Sequence, residues 1–253
     1  MKIQITSYQQ GLSDKTRLNL TKDIINNSTA DLLLFSGHTI GFVNELEKLK
    51  DEIHNKDTEV ILELQDINSD KINNCLYRIS NRELTSLYTN QIFVDSNDIE
   101  GNYQLADRLL HEYETNRKIM IKGRSFMIIQ CGEINILKNI QSEENKVEFR
   151  LSDDKSLNDR FKRILKETNV FLHPIHTPMG NQGKMEKRRE FLSKGKRYYF
   201  SASNTKEDSE NLKLKSIQYA FYNGKAITEI DTLVTEYSIS RIYEIEGETI
   251  SSK

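Results

Sequence analysis

The sequence predicts a mixed α/β fold in which helices cover two stacked β-sheets. Short apolar runs of strand length alternate with amphipathic helical stretches early in the chain, and hairpin signals are mixed in throughout. The strands are too many and too apolar for one exposed sheet. Because the 253 residues contain no linker rich in Pro, Gly or Ser, we expect a single domain spanning residues 1–253.

The elements of the first half follow from apolar periodicity. Asp31-Leu32-Leu33-Leu34-Phe35 predicts a strand buried on both faces, and Ser36-Gly37 ends it. Leu18, Thr21, Ile24 and Ile25 share one helical face, which should pack on a sheet. The predicted strands are 3–7, 31–35, 59–64, 75–79 and 84–88, and the predicted helices are 15–28, 43–54 and 104–114.

The second half begins with a hairpin whose second strand leads to Cys131. A helix is indicated by Leu157, Phe161, Ile164 and Leu165, which have the i, i+4, i+7, i+8 spacing of a buried stripe. A closing hairpin is indicated by the turn Asn223-Gly224 between strands 217–222 and 226–228. Between these elements we expect strands at 170–172 and 198–202 and a basic helix at 184–194.

Composition excludes several classes of protein. The 36 basic and 38 acidic residues give a net charge of -2, so the chain has no global attraction to nucleic acid or to an anionic membrane. No segment approaches the ~18 apolar residues of a membrane span, and the start of the chain lacks a signal-peptide pattern. Two cysteines in different segments do not form a disulfide framework. We therefore expect a cytoplasmic protein.

Cys131 is the strongest candidate for chemistry. It ends the apolar run that starts at Phe126, and Gly132-Glu133 follow at once. A strand that delivers a thiol into a tight turn, with a carboxylate two residues on, can present a nucleophile. A buried cysteine at a strand end has the same pattern, since free cysteine is among the most buried residue types. Both interpretations stay open on this segment alone.

The order of the segments resembles the nitrilase, or carbon–nitrogen hydrolase, superfamily. In that family a strand written D-L-x-x-F-P-E comes early, a strand near an Asn and a Y-x-K segment follow, and a run G-(K/R)-x-x-x-x-x-x-C carries the nucleophile. The matching stretches here are Asp31 to Gly37, Asn74 to Ile79, Leu87 to Asn90, Gly123 to Cys131, Val170 to His173, Lys184 to Lys196, Tyr198 to Asn204, and Tyr222-Asn223-Gly224.

The resemblance implies a four-layer α-β-β-α sandwich, a homodimer, and amide or nitrile chemistry without cofactor or metal. It also implies that a Cys attacks the substrate carbon, a Glu removes the thiol proton and a Lys stabilises the oxyanion. Only Cys131 is retained, because Gly37 stands at the Glu position and Asn90 at the Lys position. Gly37 cannot accept a proton, and Asn90 can offer only a neutral hydrogen bond. We therefore expect amidase activity to be impaired or absent.

Other side chains are candidates to rebuild the site. Glu133 would face the same side as Cys131 in strand geometry and could act as base, although the family often has a structural carboxylate there. Glu112 or Glu114 could be a supporting carboxylate of the family, or a solvated charge at a helix end. His173 or His176, in a loop made rigid by two prolines, could activate the thiol or be structural. A metal site is less favoured, because these two histidines lack a clear third ligand.

Three functions remain open from the sequence. The first is a degenerate family member, a pseudoenzyme that binds a small amide or acyl ligand or a protein partner without turnover. The second is an active Cys-dependent amide or nitrile hydrolase, or acyl transferase, with a rebuilt site. The third is an interaction scaffold that uses the basic helix 184–194, although a solvated helix face is the simpler interpretation of that charge.

Overall fold

The computed structural model describes residues 1–42, 46–68, 71–207 and 209–246. Their strands form two large sheets and a small one. The first sheet has the order β14-β15-β1-β2-β3-β4-β5, and β1, β2 and β3 run parallel. Its strands are β1 (Lys2–Tyr8), β2 (Leu32–Phe35), β3 (Glu59–Asn68), β4 (Lys71–Ser80), β5 (Glu83–Asn90), β14 (Asp231–Val234) and β15 (Ser238–Glu244).

The second sheet has the order β13-β12-β11-β10-β7-β6, with β7, β10 and β11 parallel. Its strands are β6 (Lys118–Ile121), β7 (Arg124–Ile128), β10 (Val170–Ile175), β11 (Tyr198–Ser203), β12 (Gln218–Tyr222) and β13 (Lys225–Ala226). A separate hairpin is formed by β8 (Leu137–Ile140) and β9 (Lys146–Phe149).

Helices cover the outer face of each large sheet. They are α1 (Asp14–Asn27), α2 (Leu46–Glu52), α3 (Ser96–Ile99), α4 (Tyr103–Glu114), α5 (Lys155–Glu167) and α6 (Gln182–Ser193). Apolar residues of α1 and α2 pack on the first sheet, and those of α4, α5 and α6 pack on the second. None of the described helices has the length and apolar character needed to span a membrane.

The side chains of a strand point alternately to the two faces of its sheet, and this explains how each sheet packs between the central core and a helix layer. In β2, Leu32 and Leu34 face the central core between the sheets, while Leu33 and Phe35 face α1 and α2. A strand buried on both faces is apolar throughout, as the sequence of this segment predicts. The four layers are therefore helix, sheet, sheet and helix, which confirms the expected α-β-β-α sandwich.

Most predicted elements are present, with boundaries that differ by a few residues. The first residues of the helix predicted at 43–54 lie outside the described part of the chain, and its described part is α2. The β8–β9 hairpin and the strands β14 and β15 were not predicted. The strand geometry expected at Cys131 and Glu133 is wrong, because Cys131–Ile136 forms a 3-10 helix after β7 ends at Ile128.

Candidate active site

The site lies where parallel strands of both sheets end. Gly37 follows β2, Cys131 follows β7, His176 follows β10, and Glu63 lies in the middle of β3. The side of a sheet beyond the carboxyl ends of its parallel strands is the usual ligand position in α/β folds. Here two such edges face each other, so residues distant in sequence become neighbours.

The backbone at Cys131 is held in an unusual conformation. Its φ is 26°, in the left-handed region that side chains other than glycine rarely adopt. The next residue, Gly132, lies so close to the backbone carbonyl of Val94 that a Cβ there would overlap it. Strain of this kind concentrates at functional sites, where surrounding structure fixes it. Cys131 itself is partly exposed.

His176 connects Cys131 with Glu63. Its Nε2 contacts Glu63 Oε1, and its side chain also lies within hydrogen-bond reach of the Cys131 side chain. Glu63 is fully buried, and His176 is largely so. The three side chains thus form a Cys–His–Glu series at the meeting point of the two sheets.

The charges of this series support each other. Burial lowers the pKa of His176, but the Glu63 carboxylate and the hydrogen bonds to Cys131 and Glu63 outweigh it and raise the pKa to about 10. Burial raises the pKa of Glu63, but the charge of His176 and the hydrogen bonds from His176 and Gln130 bring it below its usual value. At neutral pH the pair is therefore an imidazolium and a carboxylate.

Several groups hold the Glu63 carboxylate in place. Gln130 donates from Nε2 to Glu63 Oε2 at 2.8 Å, and the backbone N–H of His38 donates to Oε1 at 3.3 Å. Gln130 directly precedes Cys131, so both Gln130 and His176 connect the Glu63 carboxylate with Cys131. A buried carboxylate needs such donors to remain ionised.

Because Gly37 has no side chain, the space beside it is available to the His176 ring and the Glu63 carboxylate. A Cβ added to Gly37 would overlap His176 Cδ2 and lie 2.8 Å from Glu63 Oε1. The Asn204 side chain holds the backbone here, because its Nδ2 donates to the carbonyls of Gly37 (3.0 Å) and His176 (2.9 Å). Where the resemblance places a Glu side chain at position 37, a carboxylate arrives instead from β3.

His38 completes a buried polar cluster beside the series. Its ring stacks on that of His176 with 3.7 Å between centroids and 20° between planes. Burial, and then the charge of His176, lower the pKa of His38 to about 4. His38, Glu63 and His176 hold ligand-type atoms within 4.8 Å of one another. Stacked rings, however, direct their nitrogen lone pairs side by side rather than toward one ion, so the arrangement suits an ion pair better than a metal.

His173 lies within β10, so its expected position in a loop is wrong, and it supports the backbone of Cys131 rather than its thiol. Its Nε2 lies 2.7 Å from the Cys131 carbonyl oxygen, and its Nδ1 lies 2.5 Å from the Tyr199 hydroxyl. Burial lowers the pKa of His173 to about 3, so the ring is neutral. The carbonyl can only accept, so Nε2 carries the proton and Nδ1 accepts from Tyr199. Of the two candidate histidines, His176 is the one whose side chain lies within hydrogen-bond reach of the Cys131 side chain.

Glu133 is engaged in a buried ion pair. Arg117 contacts both of its oxygens, and the backbone N–H groups of Ile92 (2.6 Å) and Gln130 (2.9 Å) donate to them. Both side chains of the pair are fully buried. The 3-10 helix turns Glu133 away from the position that strand geometry would give it. Its contacts are those of the structural carboxylate that the resemblance implies.

The remaining candidates lie at other places. Glu114 on α4 pairs with Arg160 of α5, and Glu112 accepts from the side chain of Asn116. These contacts are at the outer helix layer. Asn90 ends β5, and its backbone carbonyl accepts from Arg117 Nη2 at 2.6 Å.

The basic helix does not form a wholly solvated face. Arg188 and Arg189 are buried, so the expectation of a solvated charge run is wrong for these two residues. Only part of the run, such as Lys187 paired with Glu190, is at the surface. Periodicity could not show this, because α6 lies between β11, β12 and the β8–β9 hairpin.

Glu63 and His38 were missed from the sequence. The available signal for Glu63 was a carboxylate inside the apolar run Val60-Ile61-Leu62-Glu63-Leu64. A charge at an inward strand position must have a partner or a function, because burying it alone is costly. The partner, His176, is 113 positions away and could not be identified without the fold.

Comparison with solved structures agrees with this fold. The NitN amidase from Nesterenkonia sp. AN1, of the nitrilase superfamily, superposes with a TM-score of 0.59 at 9% identity, covering 97% of this chain and 93% of the amidase. XC1258 from Xanthomonas campestris, a CN-hydrolase superfamily protein, gives a TM-score of 0.54 at 8% identity over 96% and 91% of the two chains. A glutamine-dependent NAD(+) synthetase from Cytophaga hutchinsonii gives 0.54 at 13% identity over 90% of this chain and 40% of the synthetase. No family model and no curated protein matches the sequence. The chain has the nitrilase-superfamily fold.

Proposed function

We propose that this protein is a cysteine-dependent hydrolase or acyl transferase acting on carbon–nitrogen bonds of small amides. The observation that carries the proposal is the contact series from Cys131 through His176 to the buried carboxylate of Glu63. A base next to the thiol, itself oriented by a third group, is the arrangement that activates a cysteine nucleophile. The carboxylate role thus moves from position 37 to Glu63, with His176 inserted between carboxylate and thiol.

The proposed reaction proceeds in two stages. The proton starts on His176, and the Cys131 sulfur attacks the carbonyl carbon of the amide as a thiolate. As the C–N bond breaks, His176 gives the proton to the departing amine, which leaves a thioester on Cys131 and a neutral imidazole. Water or an acceptor nucleophile then attacks the thioester with His176 accepting its proton, and the acid or transfer product leaves as the thiolate and the imidazolium are restored. Glu63 orients the imidazole throughout.

A degenerate binding protein is the second candidate. It is favoured by Asn90 at the position of the oxyanion-stabilising Lys, since losing one such donor typically costs about 10²–10³ in rate. In this case the site would bind an amide without turning it over. The retained ion pair would then serve to shape the pocket.

The experiment measures the reactivity of the Cys131 thiol separately from the turnover of an amide substrate. Alkylation of Cys131 by iodoacetamide is followed by intact mass in a Cys75→Ser background, and ammonia release from butyramide is measured in parallel. Butyramide is a suitable first substrate because a variant of the Nesterenkonia amidase has been solved in complex with it. We expect rapid labelling at neutral pH, because an adjacent imidazolium stabilises thiolate, and a loss of about 10²-fold or more in His176→Asn.

The control is His111→Asn, the same change at an exposed position of α4, which should label as the parent does. Rapid labelling with turnover of butyramide or a related amide supports the hydrolase. Rapid labelling without turnover of any amide or acyl donor supports the degenerate binder. If labelling is slow in the parent chain and equally slow in His176→Asn, His176 does not activate Cys131 and the proposed Cys131–His176–Glu63 series is not catalytic.

A further inference from the structure

A cavity of about 450 Å³ lies at the N-terminal end of α6, apart from the side chains of the candidate active site. Its wall includes the 3-10 helix that begins at Cys131, the β8–β9 hairpin and the loop that follows His176. Four basic side chains line it, and none of its described lining residues is a carboxylate. The basic residues are Lys138, Arg150, Lys184 and Arg188.

Arg188 is a buried charge without a charged partner. It is 7% exposed, and its guanidinium donates to two neutral amide oxygens, Asn139 Oδ1 at 2.9 Å and Asn135 Oδ1 at 2.7 Å. In the described part of the chain, no carboxylate lies within ion-pair distance of Arg188 or Lys184. Burial, and then the charge of Arg150, lower the pKa of Arg188 to about 10. Buried charges in proteins are normally paired, whereas the acceptors of the Arg188 guanidinium are two neutral amide oxygens.

Arg150 adds a second buried guanidinium to the same cavity. Nε and Nη2 donate to the backbone carbonyls of Asn135 (2.7 Å) and Leu137 (3.2 Å), and Nη1 contacts Glu100 at 2.5 Å. Glu100 is 66% exposed, so water screens much of its charge. Lys138 pairs with Glu148 at 3.1 Å. Four positive charges are thus balanced by two carboxylates, both outside the cavity lining.

We infer that this cavity binds a small, doubly charged oxyanion, such as a phosphate group or a dicarboxylate. Two guanidinium groups and a lysine suit several oxygens of one ligand, because arginine donors match carboxylate and phosphate geometry. Asn181, the N-cap of α6, also lines the cavity, so the positive end of the helix dipole faces the same space. This inference does not depend on whether Cys131 is catalytic.

A purely structural role for Arg188 explains less. The side chain joins α6 to the 3-10 helix and to β8 through Asn135 and Asn139, which a neutral donor could also do. It does not explain why Arg150, Lys138 and Lys184 line the same cavity. Four cations around one cavity repel one another, and only Arg150 and Lys138 have a carboxylate partner, so an anion in the cavity would stabilise the set.

The experiment is calorimetric titration of the full chain at constant ionic strength with inorganic phosphate, with malonate, and with the neutral analogue malonamide. We expect saturable binding of one phosphate or malonate per chain and none of malonamide. The stronger of the two anions identifies the ligand class. Arg188→Gln and Lys184→Gln should each weaken binding about tenfold or more, as loss of a charge-assisted hydrogen bond does.

The matched control is Lys187→Gln, which removes the same charge from the exposed face of the same helix. It should bind as the parent chain does. Lys184→Gln keeps the test decisive if Arg188→Gln fails to fold, because Lys184 is only partly buried. Absence of saturable binding by both anions, or equal weakening in Lys187→Gln, overturns the inference. Such a result leaves the proposed role of Cys131 untouched, because the alkylation experiment reports on it separately.

Discussion

The carboxylate of Glu63 lies in the space into which a side chain at position 37 would project. A Cβ on Gly37 would be 2.8 Å from Glu63 Oε1, and it would overlap the ring of His176. The absence of a side chain at position 37 therefore leaves room for the Glu63–His176 pair. Under the proposed function, the carboxylate expected at position 37 comes from the neighbouring strand, because β2 and β3 are adjacent and parallel.

Gly37→Ala should disable the site while the chain still folds. The φ of Gly37 is not in the left-handed region, so the effect of the added methyl is steric. Overpacking of this kind typically costs about 1–3 kcal/mol, and here the displaced group is His176. We expect alkylation of Cys131 and any amide turnover to fall by at least about tenfold. Gly183→Ala is the control, since its Cβ would meet only an ordinary contact at 3.6 Å. Full reactivity of Gly37→Ala would show that His176 does not act on the thiol.

Glu63→Gln should lower the pKa of His176. The negative charge of Glu63 is the main influence that raises this pKa against burial, so its removal brings the value down from about 10. Less imidazolium remains above neutral pH, and alkylation of Cys131 should slow most on the alkaline side of neutrality. The measurement is the alkylation rate as a function of pH in the Cys75→Ser background. Glu59→Gln makes the same change at the other end of β3, where the partner is Arg78, and should leave the profile unchanged.

The sequence predicted stacked sheets covered by helices, because the continuous apolar run of β2 and the apolar stripe of α5 depend only on local spacing, and the family resemblance implied the four-layer order. It also identified Cys131 and His176 as candidates. It could not predict that Glu63 is the acidic partner of His176, because these two residues come together only where the two sheets face each other. Nor could it predict the position of the Glu133 side chain, because the residues from Cys131 onward are compatible with a continued strand as well as with the 3-10 helix that they form.

The Arg117–Glu133 pair should be important for stability rather than for chemistry. Both side chains are fully buried, and removing one partner of a buried pair typically costs about 3–5 kcal/mol. Arg117→Met should therefore reduce the free energy of unfolding in urea by about that amount. The double variant Arg117→Met with Glu133→Leu should recover part of the loss, since no charge is left unpaired. Equal losses in single and double variants would contradict this explanation.

Tyr199→Phe should affect Cys131 through His173. The hydroxyl donates to His173 Nδ1, which keeps the proton on Nε2 for the Cys131 carbonyl. Without it the other tautomer becomes accessible, and the backbone at Cys131 loses its fixed position. We expect kcat for an amide substrate to fall several-fold with KM nearly unchanged. Tyr219→Phe, a neighbouring hydroxyl that contacts Gln182 instead, serves as the control. A change in KM alone would assign Tyr199 to substrate binding.

His173, which is buried, and His38 and His176, which are partly buried, should give the chain a stability maximum near neutral pH. Burial lowers the pKa of His173 to about 3 and of His38 to about 4, so below their ordinary value of about 6.5 only the unfolded chain takes up these protons. Their contribution is present above about pH 6.5 and is lost as the pH falls toward the folded values.

The contribution of His176 to stability depends on pH in the opposite direction. Its pKa of about 10 in the folded chain means that its contribution is complete below about pH 6.5 and is lost as the pH rises through about 10. Urea unfolding at acid, neutral and alkaline pH measures both arms, each of which can reach about 1.4 kcal/mol per pH unit and per group. His38→Asn should flatten the acid arm, and His176→Asn should flatten mainly the alkaline arm, because the charge of His176 is only the second cause, after burial, that lowers the pKa of His38. The slopes decide the outcome rather than absolute stabilities, because His176→Asn also leaves Glu63 buried without its partner. If both arms keep their slopes in both variants, other groups set the pH dependence and the charge state assigned to His176 is wrong.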